Sequence, residues 1–237
     1  EEVLQSAFDL AERVRMHAPQ IQLVQEATVM QSLIHLMRGN AEAVLELLGT
    51  EPDLDYGVEQ IIISAHTMLG NVEMAKEIAQ ISMFQKLFSF ISLSIESLLL
   101  HLDRPLFFKQ TVERIEVILN EYNIPALQPN AAFLFYFKAA TGYMMLQQHE
   151  KAIAMLEKYV ESCEKCVFPI SLKGDEYFYL FDNWIHRQGQ VMTQAPRDEQ
   201  SIKNDLVREI ESNPVFAPLH EEEVFQQLVK KLKRILQ

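Results

Sequence analysis

Two short stretches decide the fold of this chain, HLMRGNAEAV at 35–44 and HTMLGNVEMA at 66–75. His, Met, Gly, Asn and Glu recur at the same five places in both stretches. Gly39 and Gly70 are placed to end one helix in the left-handed conformation, and the Asn that follows each can cap the next helix. Each stretch therefore predicts a pair of helices joined by a tight turn.

Looser copies of the same pattern occur farther along the chain. YMMLQQHEKAIAMLEKYV at 143–160 keeps the Met, Glu and Ala of the pattern, and HLDRPLFFKQTVERI at 101–115 keeps its His. His35, His66 and His101 are 31 and 35 residues apart. A period of this length is typical of arrays of helical hairpins.

The composition also favours helices. The 237 residues include only 7 Gly and 9 Pro, and no alternating run rich in Val, Thr and Tyr occurs. Hydrophobic residues make up 49% of the chain, which is enough for a sizeable core. We therefore expect an all-α protein. The 3.6-residue period predicts helices at 2–17, 20–38, 41–49, 55–69, 72–80, 82–102, 106–122, 130–147, 149–164, 174–188, 198–212 and 219–236.

The clearest copies resemble the tetratricopeptide repeat, whose 34-residue pattern places small and bulky residues at fixed points of two helices. The residues that carry the resemblance are Tyr136, Ala140, Tyr143, Leu146, Ala152 and Leu156 in one repeat, and Leu69, Gly70, Ala75 and Ala79 in another. The expected Trp is absent, and Val44 and Tyr159 fill positions where the family has small residues. The resemblance implies a right-handed α-solenoid of degenerate hairpins over 1–165.

The C-terminal part differs from the repeats. NPVFAPLHEEEVFQQLVKKLKRIL at 213–236 resembles the closing helix of bacterial repeat arrays. A solenoid needs such a cap, because its last repeat would otherwise expose an apolar face. We therefore interpret 166–237 as a helical cap of the same domain. The basic cluster at 230–234 follows the acidic 221–223, an order that the helix dipole favours, so it does not indicate DNA binding.

Charge and cysteine content limit the classes of partner and compartment. The formal net charge of −12 repels phosphate backbones, so direct nucleic-acid binding by this chain is not expected. No apolar run reaches the roughly 18 to 20 residues of a membrane span. With 2 Cys, no disulfide framework is implied. We expect a cytoplasmic protein with no membrane association.

The three aligned histidines could suggest a metal site. Equivalent points in successive hairpins lie at least about 8–10 Å apart, whereas each ligand of a zinc ion lies within about 2.1 Å of it. We therefore expect His35, His66 and His101 to be half-buried packing residues, with a pH-sensitive role as the alternative.

Cys163 and Cys166 form a CEKC motif, which could supply two ligands of a structural zinc or a redox pair. A second ligand pair is missing, and so is the strand-to-helix context of a redox motif. We therefore expect two reduced cysteines, with no metal and no cofactor. No nucleophile motif, paired acids or Gly-rich phosphate loop is recognisable, so we expect no enzymatic activity.

The resemblance places a ligand site in the groove formed by the first helix of each repeat. The residues at matching positions are Gln60, Ser64, Thr67, Met68, Phe137, Thr141, Met144 and Met145, with Asn130 and Lys138 nearby. A separate stretch, GDEYFYLFDNWIHRQGQ at 174–190, is dense in aromatic residues. We expect its Tyr177, Phe181 and Trp184 to form a pocket wall or a dimer contact, or else to cover the end of the array.

The resemblance implies a non-enzymatic domain that binds a peptide or a protein. The acidic, variable array with its cap looks like the effector-sensing, dimerising domain of bacterial cytoplasmic transcription regulators. In those proteins a helix-turn-helix DNA-binding domain precedes the repeats, and we expect one before Glu1, which is not a Met. The alternative is a stand-alone scaffold for protein–protein interactions. A carboxylate clamp typical of such scaffolds would need groove cations, and Lys138 is the one candidate that we find.

Overall fold

The computed structural model of the chain describes residues 2–50, 57–188 and 198–236. Within these ranges the backbone forms helices and the turns that join them, and no β-strand occurs. The prediction of an all-α protein is therefore confirmed. The chain divides into two compact units, Glu1–Gly57 and Val58–Gln237.

The described residues of the first unit form three helices, and their small core is partly polar. Arg15 Nε donates a hydrogen bond to Oε1 of the buried Gln31 at 2.6 Å. The ring of Phe8 meets the ring of His35 edge-on, with the ring centroids 5.0 Å apart. The helices of this unit are α1 (Glu2–His17), α2 (Ile21–Met37) and α3 (Ala41–Leu48).

The second unit contains the larger core. Its helices are α4 (Val58–Met68), α5 (Val72–Leu100), α6 (Pro105–Glu121), α7 (Ile124–Leu127), α8 (Pro129–Met145), α9 (His149–Lys165), α10 (Phe181–Gln188), α11 (Glu199–Glu211) and α12 (Glu223–Leu236), with a 3₁₀ helix at Pro214–Leu219. The short α7 was not predicted from the sequence.

Helices α8 and α9 form the central hairpin of the second unit. Gly142 on α8 allows the ring of Phe108 on α6 to come very close, because a Cβ at this position would lie only 2.4 Å from that ring. Phe137 on α8 meets Phe216 of the 3₁₀ helix, with centroids 6.0 Å apart. The C-terminal segment thus packs against the same core, and α12 lies along α9.

The Gly residues of both Gly-Asn turns have the predicted left-handed conformation, but the predicted Asn cap forms in the first turn only. Asn40 Oδ1 accepts a hydrogen bond from the Ala43 amide at 3.2 Å, whereas the Asn71 side chain makes no capping bond. Gly39 and Gly70 adopt φ of 71° and 75°. In the second turn the Asn71 amide donates to the His66 carbonyl at 2.8 Å, and the Gly70 amide donates to the Thr67 carbonyl at 3.1 Å. This pair of bonds defines a Schellman motif. The α8–α9 turn repeats both bonds with Gln147 at φ 58° in place of Gly.

The two helices predicted at 72–80 and 82–102 are in fact one continuous helix of 29 residues, α5. Neither Gly nor Pro occurs around Ile81, so nothing in the sequence ends the first segment there. By length and composition alone α5 could cross a membrane, which corrects the expectation that no such segment exists. The core helices of soluble proteins meet the same criterion, so this is a weak indication of a span.

Two predicted helices begin later than expected. The helix predicted at 174–188 begins at Phe181, because the Asp175 carboxylate accepts hydrogen bonds from the Tyr177 and Phe178 amides and holds 174–180 in turns. The helix predicted at 219–236 begins at Glu223 and is preceded by the 3₁₀ helix. The predicted start of the fourth helix, at 55, lies outside the described residues.

Candidate functional site

The predicted groove residues on α4 are all exposed. The hydroxyls of Ser64 and Thr67 donate to the Gln60 and Ile63 carbonyls of their own helix, at 2.9 and 2.8 Å. Met68 is 88% exposed. The α4 residues therefore offer an apolar side chain to a ligand, while their two hydroxyls already have partners.

The predicted groove residues on α8 differ in accessibility. Asn130 and Met145 are exposed, whereas Phe137 is half-buried against the 3₁₀ helix. Met144 is only 6% exposed and belongs to the core, so its assignment as a ligand contact is wrong. Successive helical residues point about 100° apart, which is why neighbouring methionines lie in such different surroundings.

Two polar groove residues on α8 are also constrained. The Lys138 ammonium lies 2.8 Å from the Glu96 carboxylate of α5, and only 19% of the lysine side chain is exposed. Lys138 is therefore committed to an ion pair within the fold. The Thr141 hydroxyl oxygen is shielded from solvent and has no hydrogen-bond partner within the described residues.

The aromatic stretch contributes both to the core and to the surface. Phe181 is 2% exposed, so of the predicted alternatives it occupies a buried position in the core and not an exposed interface. Tyr177 is exposed, with its ring 5.8 Å from that of Tyr122, and Trp184 is partly exposed. Phe181 and Trp184 line one cavity, whereas Tyr177 lies outside its lining.

This cavity, here called the α5–α10 cavity, has a volume of about 520 Å³. Its aromatic walls come from Phe84 and Phe88 of α5 and from Phe181 and Trp184 of α10. The rings of Phe84 and Phe88 lie 4.4 Å apart, and those of Phe181 and Trp184 lie 5.6 Å apart. Because Phe84 and Phe181 are buried, they form the floor, and the two partly exposed rings form the sides.

Polar contacts to α5 hold the α10 wall in place. The Gln80 side-chain amide donates to the Tyr177 carbonyl at 3.0 Å and accepts from the Leu180 amide at 3.0 Å. Arg187 near the end of α10 forms an ion pair with Glu77. The segment that carries Phe181 and Trp184 is thus fixed on both sides of the aromatic cluster.

The rim of the α5–α10 cavity carries neutral polar groups. Gln85 and Ser89 from α5 and Gln128 before α8 line it, and their side chains make no hydrogen bond within the described residues. Glu59 and Lys86 also line the cavity, with the ammonium 3.6 Å from the carboxylate. The rim therefore offers amide donors and acceptors beside an apolar floor.

Sequence reasoning missed the α5 side of this cavity. Phe84 and Phe88 stand four residues apart, as do Gln85 and Ser89, so one helix carries an aromatic stripe next to a polar one. Their relation to Trp184 depends on a contact between residues almost one hundred positions apart, which the helical period does not specify.

The other candidate groups are the histidines of the repeated pattern and the two cysteines. His35, His66 and His101 are all half-buried, as predicted. Cys163 is buried and Cys166 is half-buried, and both thiols are unpaired. Burial raises the pKa of Cys163 well above its ordinary value and raises the pKa of Cys166 to about 11. Among the described residues, no group of three or more His, Cys, Asp or Glu side chains is arranged to hold a metal ion.

Comparison of the chain with protein-family models, with curated proteins and with solved structures gives no match.

Proposed function

We propose that this chain is a non-enzymatic, tetratricopeptide-like helical array that binds a peptide or a peptide segment of a protein. The observation that carries this proposal is the α5–α10 cavity, with its aromatic floor and the side-chain amides of Gln85 and Gln128, which make no hydrogen bond to any residue that the structure describes. A peptide offers a bulky side chain for such a floor. Its backbone offers alternating donors and acceptors, which complement side-chain amides.

Ion pairs between neighbouring hairpins support the array arrangement. Lys138 of α8 pairs with Glu96 of α5, and Lys158 of α9 pairs with Glu116 of α6. Glu96 lies in the C-terminal half of α5, which also forms a hairpin with α6, so one pair joins α5 to α8 and the other joins α6 to α9, as stacking of the α5–α6 and α8–α9 hairpins in register would require. We propose that this stacking is right-handed and that residues 166–237 act as its cap.

We further propose that the chain is the effector-sensing and dimerising part of a cytoplasmic transcription regulator, with a separate domain contacting DNA. The proposal draws on the acidic charge of −12, which disfavours DNA contact by this chain itself. Light scattering on the purified chain addresses dimerisation, and a strict monomer at micromolar concentration would contradict that part of the proposal.

Trp184 offers a direct test of peptide binding, because it is the only Trp in the sequence and lines the cavity. A set of end-blocked octapeptides, each with one aromatic or large aliphatic residue among neutral residues, is titrated while Trp emission is followed. We expect a saturable change for a subset of bulky residues. Mass spectrometry of small molecules that co-purify with the chain provides an independent search for the natural ligand.

The matched variants are Gln85→Ala at the cavity and Gln110→Ala on the exposed surface of α6. We expect the first to weaken binding several-fold and the second to leave it unchanged, because only Gln85 lines the cavity. Calorimetric titration checks the affinity without relying on fluorescence. If neither method detects binding of any peptide in the set, the proposed function is wrong.

A further inference from the structure

A second pair of cavities lies between α11 and α12, away from the α5–α10 cavity. One, of about 320 Å³, is lined mainly by α12, and the other, of about 300 Å³, is lined mainly by α11. Glu211 and Lys233 line both cavities, and Lys233 Nζ lies 2.6 Å from Glu211 Oε1. We call the two adjoining cavities the α11–α12 groove, with this ion pair between them.

The groove is basic although the chain as a whole is acidic. Its lining contains four Lys and Arg side chains and a single acid, Glu211. Three of these four cations are already paired: Lys233 pairs with Glu211, Lys203 with Glu199 at 2.7 Å, and Arg208 with Asp205. Lys230 is exposed and makes no ion pair with any residue that the structure describes. The Lys230 ammonium is therefore available to pair with an external anion.

The floor beside Lys230 is apolar. Phe225 and Val229 line this cavity, and the His220 ring stacks on Phe225 with centroids 5.5 Å apart and planes inclined by 25°. A phosphate backbone would gain nothing from such a floor and would face the Glu211 carboxylate as well. An apolar side chain of leucine size matches this floor. A carboxylate of the same ligand would lie within reach of Lys230 and Lys233.

The Glu211–Lys233 pair is positioned to exchange partners. The two side chains are 44% and 43% exposed, and exposed ion pairs of this kind contribute little to stability, so an incoming carboxylate can replace Glu211 at low cost. An occupant that spans both cavities must pass over this pair. An extended or helical polypeptide segment does so, whereas a small organic acid fills one cavity only.

We propose that the α11–α12 groove docks an acidic, amphipathic segment of a partner protein. One of its apolar side chains covers Phe225 and Val229, and its carboxylates pair with Lys230 and Lys233. The proposal is independent of the ligand of the α5–α10 cavity, since the two sites share no lining residue.

The probe for this site is a dye-labelled, end-blocked 12-residue peptide of Glu and Leu in helical spacing, titrated against the whole chain by fluorescence anisotropy. Its counterpart has every Glu replaced by Lys. We expect the Glu peptide to bind and the Lys peptide not to bind. Binding should weaken as salt rises, because the contacts are exposed charges.

Lys230→Glu is the decisive variant, since the side chain is exposed and supports no ion pair in the described fold. We expect it to weaken binding of the Glu peptide at least tenfold. Arg114→Glu, at an exposed position on α6, makes the same change in net charge and should leave the affinity within twofold. Circular dichroism of both variants checks that the fold is retained.

Three outcomes would overturn the proposal. The first is equal loss of binding in Lys230→Glu and Arg114→Glu, which would indicate long-range attraction to the whole chain. The second is displacement of the peptide by duplex DNA or inorganic phosphate at comparable affinity, which would make the groove an anion or nucleic-acid site. The third is conversion of a dimer to a monomer by Lys230→Glu in sedimentation, which would make the occupant a second copy of this chain.

Discussion

The rings of Phe84 and Phe181 stack with their centroids 3.9 Å apart and their planes inclined by 28°. This contact joins the middle of α5 to the start of α10. Because both rings form the floor of the α5–α10 cavity, the same contact that stabilises this region also shapes the proposed ligand site.

Replacing Phe181 by Ala should lower the free energy of unfolding by about 3–5 kcal/mol, because it removes a buried ring and leaves a cavity that the helices fill only in part. Urea denaturation followed by circular dichroism measures the loss. Leu93→Ala serves as the control, since this residue on α5 is 71% exposed and its truncation should cost less than about 0.5 kcal/mol. Equal losses in the two variants would contradict the assignment of Phe181 to the core.

Gln80→Ala should loosen the segment before α10 by removing both hydrogen bonds of the Gln80 amide, to Tyr177 and to Leu180. Two such bonds contribute about 1–3 kcal/mol together. The Leu180 amide hydrogen should exchange with solvent faster in this variant, while Gln110→Ala should leave its exchange rate unchanged. An unaltered Leu180 exchange rate in Gln80→Ala would mean that the aromatic contacts alone hold the segment.

Local features of the fold could be predicted because a few adjacent residues determine them. The turns at Gly39 and Gly70 need only a residue that tolerates positive φ followed by a helix cap. The half-buried positions of the three histidines could be predicted from their place in the repeating pattern. The continuity of α5 was missed because the pattern suggested a hairpin boundary near Ile81, where the sequence contains no residue that breaks a helix.

The candidate site could be predicted only in part. Trp184 was identified from the density of aromatic residues, but its partners Phe84 and Phe88 could not be, because no local rule pairs α5 with α10. Met144 was misassigned for a different reason. A repeat alignment that is wrong by one residue turns a side chain from the groove into the core, since each helical residue rotates by about 100°.

The α8–α9 turn should become more stable when Gln147 is replaced by Gly. Gln147 holds φ 58° in a Schellman motif, and a non-Gly residue in the left-handed region costs roughly 1–2 kcal/mol. Part of that gain is offset by the greater freedom of Gly in the unfolded chain, so we expect a net stabilisation of about 0.5–1 kcal/mol.

The matched experiment is Gly70→Ala, which makes the reverse change at φ 75° in the α4–α5 turn. A Cβ at Gly70 would meet nothing within 4 Å, so the cost is conformational and should be about 1 kcal/mol. The midpoint temperature of thermal unfolding should therefore rise for Gln147→Gly and fall for Gly70→Ala. Shifts of the same sign would contradict the equivalence of the two turns.

Stability should decline at alkaline pH because burial raises the pKa of Tyr136 to about 12 and that of Cys166 to about 11. Both groups have a higher pKa in the folded chain than in the unfolded chain. Their contribution to stability is therefore complete at a pH below the pKa values of the unfolded chain, and it is lost as the pH rises through the pKa values of the folded chain. Denaturation at pH 7 to 11 should show the decline beginning above about pH 9. Cys166→Ala should make the decline shallower, and an unchanged slope would contradict this thiol's contribution.

Both cysteines should react slowly with iodoacetamide in the folded chain at pH 8. The thiolate is the reacting form, and raising the pKa of Cys166 from 9.0 to about 11 lowers its thiolate fraction about 100-fold. Cys163 is buried and should react more slowly still. Intact-mass spectrometry follows each addition, and the urea-unfolded chain provides the control in which both thiols react at ordinary rates. Rapid modification of the folded chain would instead indicate an activated thiol and reopen a redox role for the CEKC motif.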